Sequence, residues 1–395
     1  MEKLRNINYF NPTILLHGWG RVSEVGKVLA KYGKKCLMVT GSGSSLESLR
    51  EKVTMLCQEA GVDIVRYNGV KANPTTDMVN VGTKMAIDNK VDVVLGVGGG
   101  SPIDTAKAVA VGATHEGEAW DYRVDPFGKN KSKPIEDKLL PVITLTTTAG
   151  TGTETTLVSV ITNSAEKLKY ALADRLLYPK VSIVDPELTV TVPPHVTAST
   201  GFDAFCHNFE SLLNKNASPY TDMHALEGIR LLINYLPIAF KDGSNREARE
   251  AVSWANTLGG YSITNAGTTL PHGIGMAIGG NQPHIAHGET LAIMYPEINR
   301  WTWKYAIPLY AKVGRMFNPE LEKESDERAA ESACDEMNKF LKEIGLWISL
   351  KDKNVAESDF KAITDHTLEL SDYMVHPRVG KYENIFELIK KSYSR

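Results

Sequence analysis

Residues 91–97 read VDVVLGV, an almost unbroken apolar run, and GGGSPIDTAK follows immediately over residues 98–107. A strand that is apolar at nearly every position must be covered on both faces, as in the middle of a parallel sheet. The glycines that follow let backbone N–H groups approach a pyrophosphate, and a helix N-terminus beyond them favours an anion. The same residues also suit a plain helix start, with Ser101 as N-cap, Pro102 at the first helical position and Asp104 two further on. The two readings are compatible. The spacing is not GxGxxG, and the motif lies too late in the chain for a first strand–helix turn.

The rest of the first half fits the same architecture. Short apolar runs at 13–16, 35–40, 62–67, 141–145 and 181–184 read as strands, and 22–31, 46–60 and 76–89 have helical spacing. Strands that alternate with helices imply βαβ units and a parallel sheet. Residues 158–162 suggest a smaller hairpin-like element, and the polar segment 117–138 a long surface connection. Beyond Asp185 come three prolines at 186, 193 and 194, and strand signals become scarce. Amphipathic helical patterns follow at 198–213, 221–240, 246–266, 308–317 and 328–344. The expected organisation is an α/β dinucleotide-binding domain over 1–189 and a helical metal-binding and substrate domain over 190–395. With 395 residues, 42% of them hydrophobic, the chain can build two cores. A net charge of −3 argues against a nucleic-acid partner. No run of about 20 apolar residues suggests a membrane span, and the start, MEKLRNINYF, lacks a signal-peptide pattern. Four scattered cysteines give no CxxC pair, so a cytoplasmic setting is expected.

Two further clusters carry possible nucleotide chemistry. Residues 146–156, TTTAGTGTETT, place hydroxyls and glycines after a strand, where they could cradle a nucleotide or form a polar loop of Ser/Thr turns. Residues 41–45, GSGSS, follow the second strand. A carboxylate near such a strand end often holds the adenosine ribose. Here no acid occurs before Glu47, which leaves room for a 2′-phosphate and favours NADP over NAD, unless the segment is an ordinary loop. In the second half, Asp203 and His207 are four apart in TGFDAFCHNFE, on one face of a helix. Such a pair alone is more often a structural hydrogen bond than a metal site. His272-Gly273 and His287-Gly288 then follow in a glycine-rich region. Three imidazoles and a carboxylate would hold a divalent transition metal with positions left open. His284, three residues before His287, competes as a ligand.

Taken in order, these motifs resemble the iron-containing (group III) alcohol dehydrogenases, in particular a butanol-dehydrogenase-like member. The resemblance runs from Gly18-Trp19-Gly20-Arg21 to Pro377-Arg378 and includes 98–107, 146–156, 200–210 and both His-Gly units. It implies a dehydroquinate synthase-like fold, α/β plus all-α, with the active site in the cleft between the domains. By matching motif, Asp203, His207, His272 and His287 would be the metal ligands. Gly99, Gly100, Ser101 and Asp104 would run along the pyrophosphate toward the nicotinamide, with Asp104 and His272 also in catalytic roles. Thr147, Thr148 and Thr151 would line the nucleotide, Lys169 would lie near the ribose, and Asn73, Gly41, Ser42 and Ser44 would complete the cofactor set. Gly41 stands where NAD-preferring relatives often carry Asp. Two departures matter. Met276 occupies the second histidine position of the common HGxxH pattern. The His272–His287 spacing is also one residue longer than expected, which keeps His284 as a candidate ligand or proton relay.

The expected activity is metal-assisted hydride transfer between NADP(H), with NAD possible, and a small alcohol or aldehyde. Fe²⁺ is the expected metal, and Zn²⁺ competes because it binds such ligands more tightly. No Ser–His or Cys–His nucleophile is evident. Alternatives on the same fold are a glycerol or hydroxy-acid dehydrogenase and a dehydroquinate synthase-like lyase. Charged substrates would call for Lys or Arg, which segments 200–210 and 260–290 lack. A non-catalytic nucleotide-binding module would not require an open four-ligand set. Relatives are often assembled, so a homodimer or higher homo-oligomer is the default. Phe202, Phe205, Met276, Trp301 and Trp303 could shape an apolar pocket, although each taken singly reads as core.

Overall fold

The computed structural model describes residues 7–129, 132–136 and 138–395. The chain divides into two compact units, with boundaries between Phe10 and Asn11 and between Val192 and Pro193. Residues 7–10 pack with the second unit, where the Tyr9 ring lies 4.2 Å from that of Tyr220. The helical unit therefore takes in residues that a single cut near 190 assigns to the other.

The first unit is a six-stranded parallel sheet with helices. In chain order it contains β1 (Ile14–His17), α1 (Val25–Leu29), β2 (Lys35–Gly41), α2 (Glu47–Glu59), β3 (Asp63–Val70), α3 (Thr76–Asp88), β4 (Val93–Gly98), α4 (Gly100–Gly112), β5 (Val142–Thr146), β6 (Val158–Asn163), β7 (Leu168–Ala173) and β8 (Val181–Val184). The sheet order is β1-β8-β5-β4-β2-β3, all parallel, and β6 and β7 form a separate antiparallel hairpin. Every residue of β4 is buried, which explains its unbroken apolar run. From β2 the chain moves outward to β3, then returns to place β4 on the other side of β2. This reversal is a topological switch point at the carboxyl ends of β2 and β4, the usual ligand position in such sheets. The segments at 41–45, 98–100 and 147–152 all leave the sheet at this edge.

Two local expectations change. The connection 117–138, of which 130, 131 and 137 lie outside the described residues, is not wholly a surface loop. Trp120 and Tyr122 are buried, and Trp120 packs edge-on against Tyr170 at 5.8 Å. Ser101 is not the N-cap of α4. Gly99 takes that position, and no side chain caps the helix.

The second unit is all-helical among the described residues: α5 (Pro194–Leu213), α6 (Pro219–Lys241), α7 (Arg246–Ala266), α8 (Leu270–Asn281), α9 (His287–Thr302), α10 (Ile307–Phe317), α11 (Asp326–Glu343), α12 (Phe360–Thr367) and α13 (Tyr382–Lys391). Helix α5 is buried along most of its length and packs against α6, α7 and α9. Phe202 and Phe205 belong to its core, stacked at 5.8 Å, with Tyr295 edge-on to Phe202. Among the described residues no helix is long and apolar enough to cross a membrane.

Candidate metal centre and nucleotide loops

The candidate metal centre is built on α5. Asp203 and His207 share one face of it at i, i+4, and Glu210 extends that face by another turn. His272 lies in the first turn of α8, and His287 is the first residue of α9. Gly288 allows α9 this close to α5, because a Cβ there would overlap the backbone carbonyl of Ser199. The result is a convergence on a single atom. The Nε2 atoms of His272, His207 and His287 lie 3.5, 3.7 and 3.8 Å from Asp203 Oδ1. These separations are too long for N–H···O hydrogen bonds. They are close to the spacing of about 3.4 Å between ligand atoms placed tetrahedrally at about 2.1 Å from one metal ion. Asp203, His207 and His272 form the tightest group. His287, with 23% of its side chain exposed, stands on the more open side.

The chemistry of the donors also fits a cation. Asp203 Oδ1 and His272 Nε2 are buried and hydrogen-bond to no described residue. Burial opposes charge on Asp203, but His207, His287 and His272 around it hold its carboxyl well below the usual carboxylate range. Burial likewise opposes charge on His272, yet Glu210 and Asp203 on its two sides carry its pKa up to about 10. Two buried carboxylates facing these imidazoles form a site that calls for positive charge.

Glu210 has no role in the sequence reading, although it closes the quoted motif. It is completely buried. Oε1 accepts from His272 Nδ1 at 2.7 Å and from the Tyr295 hydroxyl at 3.1 Å. Oε2 accepts from the Thr269 backbone N–H at 2.8 Å, its hydroxyl at 3.2 Å and the His272 N–H at 3.4 Å. Glu210 thus caps the N-terminus of α8 from another helix and complements its dipole. With Nδ1 donating to Glu210, a neutral His272 presents the lone pair of Nε2 toward Asp203, where a bound cation would take the place of the second proton. A carboxylate behind a histidine in this way fixes its tautomer for metal binding.

His284 is not brought to the cluster. It is exposed, and its Nε2 donates to the Lys353 carbonyl at 3.0 Å, which corrects its candidacy as ligand or proton relay. Met276 lies one turn beyond His272 on α8 and is partly buried.

In the first unit, the glycine and threonine loops are brought together. A Cβ on Gly99 would lie 2.5 Å from Thr148 Oγ1, and one on Gly100 2.5 Å from Thr151 Cγ2. With no side chain capping α4, its first N–H groups remain available to an anion. Lys169 Nζ donates to Asn73 Oδ1 at 3.0 Å, so this pair of sequence candidates also meets. Asp104 is placed differently from a group aimed at a ligand. One carboxylate oxygen accepts from the Thr153 hydroxyl at 2.7 Å and the other from the Val160 N–H at 3.1 Å. Its burial raises its pKa. At the end of β2, Gly41 does not have positive φ, and a Cβ there would meet only ordinary contacts at 3.7 Å. The Arg50 guanidinium, buried below the 41–45 loop, binds the carbonyls of Gly41 and Gly43 and the Glu47 carboxylate. Arg66 reaches the other Glu47 oxygen at 3.1 Å.

Comparison with known proteins places this arrangement. The family described as "Iron-containing alcohol dehydrogenase" matches residues 12–186, and "Fe-containing alcohol dehydrogenase family, C-terminal" matches 197–393. The chain belongs to the iron-containing alcohol dehydrogenase family. Among its relatives is the NAD-dependent methanol dehydrogenase of Bacillus methanolicus, 33% identical over 98% of this chain and 99% of that protein. The 1,3-propanediol dehydrogenase of Citrobacter freundii is 31% identical over 98% and 97%. Among solved structures, an archaeal halo-thermophilic alcohol dehydrogenase from a Red Sea brine pool superposes with a TM-score of 0.94 at 31% identity, covering 99% of this chain and 100% of that one. An NADH-dependent butanol dehydrogenase from Thermotoga maritima gives 0.90 at 28% identity, covering 99% of each chain. This iron-containing alcohol dehydrogenase is therefore an oxidoreductase, and its family implies an iron centre and a nicotinamide cofactor.

Proposed function

We propose that the enzyme transfers hydride between NADP(H) and a small, neutral primary alcohol or its aldehyde, at a metal held by Asp203, His207, His272 and His287. The observation that carries this reading is the convergence of three imidazole Nε2 atoms on Asp203 Oδ1. A divalent ion bound there supplies Lewis acidity toward an alcohol or carbonyl oxygen. Around it, Asp203 supplies negative charge, Glu210 keeps His272 in the ligating tautomer, and His287 borders the open side. Iron is the family's metal, and zinc is its strongest competitor at these ligands. The nicotinamide carries the hydride. Gly98–Ser101 and the 147–151 loop would bind its dinucleotide, with Lys169 and Asn73 near a ribose.

Two observations support the finer choices. Segments 200–210 and 260–290, which carry the ligands, contain no Lys or Arg to neutralise an anionic substrate. This favours neutral alcohols, the class to which methanol and 1,3-propanediol in the relatives' names belong. At the ribose end, Gly41, Ser42 and Ser44 offer no carboxylate. The nearest acid, Glu47, is engaged by two arginines, so a 2′-phosphate would meet hydroxyls and net positive charge.

The test is anaerobic oxidation of NADPH and of NADH by the Fe²⁺-loaded enzyme with butyraldehyde. The reading expects metal-dependent turnover with a higher kcat/KM for NADPH. Gly41→Asp, which the space at 41 accommodates, should reverse that preference. A wild-type preference for NADH would refute the cofactor assignment.

A further inference from the structure

Lys107, on α4, is completely buried. Its Nζ donates to the carbonyls of Thr153, Thr156 and Val158, each at 2.8 Å, and also lies 3.1 Å from the Thr153 hydroxyl. One turn earlier on the same helix, Asp104 accepts from the Thr153 hydroxyl and the Val160 N–H, and its backbone carbonyl accepts from Ser159 Oγ at 2.7 Å. The segment gripped in this way is the exit of the threonine-rich loop into β6. The loop's entrance is held one to two turns earlier, at the N-terminus of α4, where the Thr147 N–H donates to the Gly98 carbonyl at 2.9 Å and Thr148 and Thr151 abut Gly99 and Gly100.

Three carbonyls demand three donors from one point. A protonated lysine has three N–H donors and no acceptor. A neutral amine would turn a lone pair toward one of these oxygens, and an apolar side chain would take this donor from the Thr156 and Val158 carbonyls and leave Thr153 with only the Thr156 N–H at 3.4 Å. Residues 153 and 156 lie outside the strands, so no sheet ladder supplies donors to their carbonyls instead. The buried ammonium therefore acts as an internal cross-brace, and its charge is balanced by neighbouring Asp104 and Glu154.

We propose that Lys107 is a positioning residue for the dinucleotide. It fixes the exit of the 147–152 loop relative to the α4 N-terminus, so that the cofactor meets a preorganised loop and does not have to order it on binding. This inference rests on the reading that the 98–101 and 147–151 loops hold the cofactor. Lys107 touches no reacting atom and acts through the loop.

The experiment measures dissociation constants for NADPH and NADH by fluorescence on the full-length, metal-loaded enzyme, together with metal content. Lys107→Met, similar in length but without donors, should weaken both cofactors at least 10-fold while metal content stays at the wild-type level. Space filling alone would leave Lys107→Met unaffected. In Lys107→Ala, added n-propylammonium should recover at least 5-fold of the lost affinity, and tetramethylammonium at equal ionic strength should not. Ser101→Asp, which places a negative charge at the α4 N-terminus, separates the two claims. If it abolishes cofactor binding while Lys107→Met stays within twofold of wild type, the loop reading stands and the inference about Lys107 falls. If Ser101→Asp binds both cofactors normally, the loop reading itself fails. Should Lys107→Met not fold, Thr153→Val removes only the hydroxyl shared by Lys107 and Asp104. A two- to fivefold loss of cofactor affinity is then expected, and unchanged affinity would overturn the inference.

Discussion

Replacing Glu210 by Gln tests how far the metal centre depends on a group that touches no metal. All five of the Glu210 contacts come from donors: two to Oε1 and three to Oε2. A glutamine has one acceptor oxygen and one NH₂ group, so it must place a donor where an acceptor is required. If the NH₂ replaces Oε1, His272 Nδ1 has to accept. Its proton then moves to Nε2, the atom that faces Asp203. If the NH₂ replaces Oε2, it opposes the backbone N–H groups of Thr269 and His272, which cannot rotate away, and the cap on α8 is lost. Either arrangement penalises the ligating form of His272. Outer partners of metal-bound histidines typically contribute 10–100-fold in affinity, or about 1.4–2.7 kcal/mol. Glu210→Gln should therefore weaken Fe²⁺ or Zn²⁺ binding by that factor. The assay is a chelator-competition titration, with circular dichroism to show that the helices persist. A folded variant whose metal dissociation constant stays within twofold of wild type would refute the reasoning.

Other consequences follow from the same geometry. Gly288→Ala forces α9 away from the Ser199 carbonyl and should destabilise the helical unit by about 1–3 kcal/mol, as overpacking generally does; urea titration would show this, with reduced metal content from the displaced His287. His284→Ala should leave kcat and metal content within twofold of wild type, since the side chain is bound to Lys353 away from the cluster. Burial pulls Lys107 down from its ordinary value to about 8, against the opposing pull of Asp104 and Glu154. The unfolded chain then holds more protons on this residue between about pH 8 and 10.5. The burial penalty of its charge is full below pH 8, and the contribution to stability should rise through that window. Urea midpoints of wild type against Lys107→Met across pH 7–10.5 would show the gain in wild type alone; a constant difference would contradict it.

The residues that sequence made legible were those whose geometry is local. The i, i+4 spacing of Asp203 and His207 survives in α5, and the continuous apolar run at β4 becomes a strand buried throughout. Glu210 was readable as lying on the Asp203 face, but its function depends on the N-terminus of α8, about 60 residues away, and no spacing rule reaches that far. Helix α8 itself, LPHGIGMAIGGN, is absent from the helical patterns read in the sequence, because each glycine disfavours a helix. Burial against neighbouring helices overrides that preference, and here the missing side chains are what allow the close approach. His284 misled because it falls in a turn, where three-residue spacing from His287 fixes no common face. Ser101 looked like an N-cap, yet the helix begins earlier, at the glycines. Lys107 left one signal: a lone charge in the otherwise apolar stretch AKAVAV. A lysine so placed needs a buried set of acceptors, and the following loop supplies them.

The most direct test is a titration of metal-stripped enzyme with Fe²⁺, following bound metal and butyraldehyde-dependent NADPH oxidation together, in wild type and in Asp203→Asn. Turnover in the wild type should rise in proportion to bound iron and saturate at one ion per chain, while folded Asp203→Asn should neither bind iron nor turn over. Full turnover in the stripped wild type, or in Asp203→Asn without bound metal, would contradict the assignment of this cluster as the reaction centre.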